Sequence, residues 1–180
     1  MKRAFAFLMV ASAVLAGSIP VAQAGNTSGT FLLVSGDDFG SAPNGDHVRV
    51  VGGGTFSLDP ESVSASGTFT HFDPDDNILG GGTWTATELL SFNFYGCRFI
   101  PALDVDLGDD NLCGGALKLA VVLDTPIGEF PAILTIFCVI GPGAPSSHNT
   151  PDGEGVTLNI PGVINFNHAV HGDNVYIRTS

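Results

Sequence analysis

The chain has 180 residues, with 18 acidic side chains against 6 basic ones and a formal net charge of −12. That charge repels phosphate and argues against nucleic acid or an anionic membrane surface as a partner. The length suits one domain, large enough to bury a core without metal or many disulfides.

The N-terminus reads as a secretory signal. Lys2 and Arg3 precede an uncharged run, Ala4 to Gly17, that carries Phe5, Phe7, Leu8, Met9, Val10, Val14 and Leu15. Pro20 follows, and then Ala22-Gln23-Ala24, the small-x-small pattern of a cleavage site. The run is short for a span of about 30 Å of hydrocarbon. Cleavage after Ala24 is therefore expected, leaving residues 25–180 as a single exported domain. Losing Lys2 and Arg3 takes the net charge from −12 to −14. No later segment is apolar and long enough to cross a bilayer as a helix. Asn26-Thr27-Ser28 is a glycosylation sequon, meaningful only in a eukaryotic secretory pathway.

Beyond Ala24 the apolar residues alternate, and no 3.6-residue period occurs. Candidate strands fall at 30–34, 47–51, 55–58, 63–72, 83–94, 116–124, 132–140, 156–160, 163–168 and 174–178. Period two is clearest at Val63, Ala65, Gly67 and Phe69, which oppose Ser64, Ser66, Thr68 and Thr70. In the next strand Trp84, Ala86, Leu90, Phe92 and Phe94 oppose Thr83, Thr85 and Thr87. The run 132–140 is apolar on both faces, as a central strand would be. Asn44-Gly45 favours a type I′ turn, and Pro161-Gly162 and Gly172-Asp173-Asn174 also read as tight turns. Gly-Thr-aromatic recurs at Gly29, Gly54, Gly67 and Gly82, a turn glycine followed by a strand residue and a core ring. The expected fold is an all-β antiparallel sandwich of about 8–10 short strands, with a closed barrel as the alternative.

Three cysteines remain. Cys97 and Cys113 bracket one polar segment, whereas Cys138 lies in the apolar run 132–140. A Cys97–Cys113 disulfide with Cys138 as a buried thiol is the favoured pairing in an oxidising compartment.

If strands alternate in direction, connections 95–115, 141–155 and 169–173 share one end of the domain. Connection 35–46 joins them unless Gly52-Gly53-Gly54 is a kink inside one strand. Long loops on a rigid scaffold are the usual place for a binding site. The candidate binding residues there are Asp109, Asp110, His148, Asp152, Glu154, His171 and Asp173. They form a carboxylate-rich rim that could attract Ca²⁺, which takes oxygen ligands. Asp73, Asp75 and Asn77 give a weaker metal candidate. Their Asp-x-Asp-x-Asn spacing resembles the start of an EF-hand loop, but Ile78 and Trp84 stand where that loop needs Gly and Glu. A turn stabilised by Asx side chains accounts for them better. His168, His171 and Asp173, or His71 and Asp73, are possible zinc or general-base pairs. Glu88 breaks the apolar face of its strand.

No catalytic motif stands out. The expectation is a secreted or periplasmic non-enzymatic module that binds an extracellular ligand or protein, or serves a structural role. The alternative is a small hydrolase or isomerase using a His/carboxylate pair. A pocket in which a histidine and a carboxylate meet is what would favour the second.

Overall fold

The computed structural model describes residues 28–98, 112–146 and 153–180. The expected signal segment and sequon therefore lie outside the described residues, apart from Ser28. Within them the chain is antiparallel β throughout, with no α-helix. Ten strands form: β1 (Thr30–Ser41), β2 (His47–Leu58), β3 (Glu61–Phe72), β4 (Ile78–Cys97), β5 (Leu112–Thr125), β6 (Gly128–Cys138), β7 (Gly155–Ile160), β8 (Ile164–Phe166), β9 (His168–His171) and β10 (Asn174–Arg178). Nine of them follow one hydrogen-bonded path, β10-β1-β2-β3-β4-β5-β6-β7-β8, and β9 pairs with β1. β10 also pairs with β5 through Tyr176 opposite Cys113 and Ile177 opposite Leu112. The pairings from β10 through β1 to β5 thus return to β10. β7 packs against β1 without pairing to it, so the layers share one interior.

The apolar alternation sets what lies inside. Ala65 and Phe69 of β3 are buried, while Ser64, Ser66 and Thr68 are exposed. All four aromatic residues of the Gly-Thr-aromatic triplets, Phe31, Phe56, Phe69 and Trp84, are core residues. Phe31 and Phe56 face each other across the β1–β2 ladder and stack with centroids 5.1 Å apart. Phe92 packs edge-on against Phe56 and Tyr176. β6 lies between β5 and β7, as its two apolar faces imply.

Trp84 explains the glycines. It lies opposite Gly67, and its indole nitrogen donates to the Val51 carbonyl at 3.1 Å. A Cβ on Gly52 would sit 2.5 Å from the indole, and one on Gly67 2.6 Å from it and 1.9 Å from the Val51 carbonyl oxygen. The glycines form the seat of the ring, so Gly52-Gly53-Gly54 stays within one strand, β2.

The strands run longer than the local pattern suggests, and several boundaries change. Residues 35–41, read as loop, belong to β1. A register shift between Ser35 and Asp38 keeps Leu33, Ser35, Asp38 and Gly40 facing inward. There the outer edge of β1 passes from β10 to β9, so backbone pairing is nearly continuous along the polar stretch. The 42–46 turn is not type I′, because Gly45 alone has positive φ, 92°. Pro43 takes the first corner and Gly45 donates back to the Ala42 carbonyl at 3.0 Å. Leu90 was expected inside, but Leu89 is the buried residue. A register shift between Ala86 and Glu88 advances the strand by one residue and turns Glu88 to solvent. A second shift before Ser91 brings Phe92 and Phe94 back towards the core. The segment 163–168 splits into β8 and β9, and β9 takes up 168–171, part of an expected turn.

Replacing Gly67 with Ala is expected to destabilise the fold by about 1–3 kcal/mol, because the new methyl must push β2 or the indole away. Urea unfolding followed by Trp84 fluorescence measures this, and an unchanged midpoint would contradict the glycine seat.

Candidate functional site

The described residues enclose a cleft of about 470 Å³, within the range of small-molecule sites. It lies where β3 passes into β4, β5 into β6 and β7 into β8, at the opposite end from Cys97 and Cys113. Its floor is apolar, with Phe69 from β3 and with Leu123 and Phe130, which face each other across the β5–β6 ladder. Ile160 and Ile164 line the side formed by β7 and β8. Gly80 and Gly81 keep the β4 wall low; a Cβ on Gly80 would meet nothing within 4 Å.

The rim runs against the usual composition of turns. Ile127 is 87 % exposed, Val163 64 % and Leu79 56 %, and all three line the cleft. Ile78, next to Leu79, is 70 % exposed. Solvent-facing turns normally carry polar residues, whereas here exposed apolar side chains from three neighbouring hairpins form a continuous rim around the cleft. Sequence reasoning overlooked this cleft. Its available signal was the apolar character of the turns at Pro126-Ile127 and Pro161-Gly162-Val163 and of Ile78-Leu79, which follow the 73–77 turn.

Two polar side chains line the cleft, His71 and Thr125. The Thr125 hydroxyl is used within its own turn, donating to the Gly128 carbonyl at 2.7 Å and accepting from the Ile127 amide at 3.3 Å. His71 Nε2 is 2.8 Å from Asp46 Oδ2, and its ring lies edge-on to Phe166. A matching pair joins His47 Nε2 to Asp76 Oδ1 at 3.1 Å, with the His47 ring stacked on Phe72. The two hairpins are therefore cross-linked, each supplying an aspartate to a histidine of β2 or β3. The expected partner of His71 was Asp73, but adjacent-strand geometry brings Asp46 to it instead.

Asp73 has another role. Its carboxylate accepts from the Asp75 and Asn77 amides, each at 2.9 Å, and from the Asn77 side chain. These donors stabilise its charged form and hold its pKa below the usual carboxylate value, the Asn77 side chain most of all. Asp73, Asp75 and Asn77 therefore build a turn around one carboxylate. Among the described residues no three His, Cys, Asp or Glu side chains are grouped to hold a metal ion.

At the other end lie the flanks of the long connections. Asp109, Asp110, His148 and Asp152 are outside the described residues. Glu154, His171 and Asp173 are inside them and share a neighbourhood. Glu154 is partly buried and accepts from the Val139 amide at 3.2 Å. Its acidity is weakened, chiefly by burial and further by the negative charge of Asp173. His171 packs on Phe39, centroids 4.5 Å apart, and Asp173 is exposed.

Behind them is a residue that sequence reasoning left in a loop. Asp38 is fully buried and accepts from the Ser35 hydroxyl. Among the described residues, its Oδ1 and the Oδ1 of buried Asn174 have no hydrogen-bond partner. Burial pushes the Asp38 carboxyl up to about 7, and the Glu154 charge adds to the rise. The Ser35 hydroxyl, and the polar Asn174 side chain beside it, pull the other way without cancelling the rise. The only hint in the sequence was an acidic pair, Asp37-Asp38, beside apolar Phe39. The register shift in β1 separates their fates, with Asp38 inside and Asp37 paired to Arg49.

Cys97 and Cys113 are disulfide-bonded, directly opposite each other in the β4–β5 ladder. Cys138 is a free buried thiol 3.0 Å from the Asn174 carbonyl. Burial pushes its acidity far out of the ordinary thiol range. The chain matches no protein family, no characterised protein and no solved structure.

Two predictions follow from the charges and thiols. The folded Asp38 carboxyl holds a proton that the unfolded chain releases above about pH 4. Its stabilising contribution is therefore complete below that pH and disappears as pH rises through 7. Relative to Asp38→Asn, the native protein should lose roughly 2–4 kcal/mol of unfolding free energy between pH 4 and pH 8. Denaturant titrations across that range measure the difference, and parallel curves would contradict it. Separately, one thiol should titrate, and only after denaturation. Cys97→Ser with Cys113→Ser should cost about 3 kcal/mol, the chain-entropy value for a loop of this size.

Proposed function

We propose that this chain is an exported, non-enzymatic binding protein that takes an apolar small molecule into the cleft between β3–β4, β5–β6 and β7–β8. The observation that carries this reading is the apolar floor of Phe69, Leu123 and Phe130 beneath a rim of exposed Leu79, Ile127 and Val163. Burying such a rim under a ligand removes apolar surface from water at about 25 cal/mol per Å². Export rests on the N-terminal charge, apolar run and Ala-Gln-Ala pattern. The paired Cys97 and Cys113 are compatible with an oxidising compartment.

A hydrolase or isomerase is the second reading, and one observation favours it. His71 lines the cleft and is oriented by Asp46. It ranks below binding because the lining supplies no Ser, Cys or carboxylate to act beside that histidine.

Titration with Nile red, a neutral apolar dye, tests the binding reading. Saturable one-to-one enhancement is expected. Leu79→Asp should weaken it by about tenfold, equivalent to 1.4 kcal/mol. Leu79 is mostly exposed, so the variant should unfold at nearly the native midpoint. Enhancement absent from the native protein, or unchanged in the variant, would refute the cleft as the site.

A further inference from the structure

We infer that the cleft selects an apolar ligand bearing a neutral hydrogen-bond donor, such as a long-chain alcohol or a phenol, and discriminates against the corresponding carboxylate, with His71 as the discriminating side chain. This rests on the binding reading above and names the chemistry of its ligand.

The argument begins with what the lining has left to offer. Of its two polar side chains, Thr125 is already committed to Gly128 and Ile127. That leaves His71. Asp46 accepts at His71 Nε2, and an ionised carboxylate can only accept, so the ring proton belongs on Nε2. The second nitrogen of a neutral imidazole is then an acceptor, and no partner for Nδ1 is found among the described residues. His71 lines the apolar cleft, and an acceptor nitrogen turned to it would be satisfied by an O–H or N–H donor. A ligand lacking a donor leaves that nitrogen desolvated and unpaired.

Charge points the same way. Neither Lys nor Arg lines the cleft. The side chain behind His71 is the Asp46 carboxylate, and the adjoining 73–77 turn carries Asp73, Asp75 and Asp76. The nearby cation, Arg49, is engaged by Asp37. A ligand carboxylate would be stripped of water next to like charge, with no counterion supplied. A neutral hydroxyl avoids that cost and fills the one open acceptor.

Competition against bound Nile red at pH 8 tests the inference. Decan-1-ol, decanoate and a hydroxyl-free decyl methyl ether serve as competitors. Decanol should displace the dye at about one-tenth the concentration of either other compound. His71→Phe should reduce that preference to less than about threefold, with each competitor's concentration scaled to the variant's own dye affinity. His71→Gln, which keeps an acceptor beside a donor to Asp46, should restore most of it. Equal or stronger competition by decanoate, or a decanol preference unchanged in His71→Phe, would overturn the inference and leave the cleft as an unselective apolar site. A native protein that fails to bind the dye at all would overturn the binding reading, and this inference with it.

Discussion

The last strand of the chain is where the fold is closed. β10 pairs with β1 along Phe31–Ser35 and with β5 at Leu112 and Cys113, so five residues link the first strand to the middle of the chain. Its inward side chains tie it to β6 as well. Tyr176 is fully buried, and its hydroxyl donates to the Ile136 carbonyl at 2.9 Å. Asn174 donates its amide to the Phe137 carbonyl at 3.1 Å. A buried hydroxyl or amide without such partners would cost a few kcal/mol, so these bonds determine where β10 can sit. With β10 in place, Phe31, Phe56, Phe92 and Tyr176 meet in one aromatic cluster. Asp38 is enclosed on the same side, beside Ser35 and Asn174.

Closure also gives the molecule two unlike ends. One gathers the disulfide, Cys138, Glu154 and the buried Asp38 carboxyl, and is held together by backbone and side-chain bonds between connections. The other gathers three hairpins that expose apolar side chains, two of them at their tips and the third at the start of β4, together with the His–Asp pairs that link two of the turns. At the first end, polar groups are buried. At the second, apolar groups are exposed. The second departs further from what solvent alone would select, because a buried carboxyl still has hydrogen-bonding neighbours whereas exposed Ile127 and Val163 gain nothing from water. That contrast is why the binding reading falls on the cleft and not on the acidic end.

His71 connects the scaffold to the cleft. It belongs to β3, a strand stiffened by ladders on both sides, and its ring is positioned by Asp46 and Phe166. A side chain held by contacts from two other segments presents its remaining polar atom with little freedom. In the proposed site this would be the basis for selectivity, since the rest of the lining is almost entirely apolar.

Period-two alternation is local, so the sequence by itself determined the all-β antiparallel class and the inward aromatic residues Phe31, Phe56, Phe69 and Trp84. It also determined the central position of β6 and the pairing of Cys97 with Cys113, because strand faces and burial follow from side-chain type. Tertiary structure alone decided where the alternation changes phase. A bulge depends on what the partner strand presents, so the choice of Leu89 over Leu90, the exposure of Glu88 and the burial of Asp38 could not be read from single strands. The pairing of His71 with Asp46, 25 residues apart, depends on β2 and β3 lying in register. The cleft depends on three hairpins distant in sequence converging at one end. Its residues looked like ordinary core or turn residues, because a cavity is a property of elements placed side by side and of none of them alone.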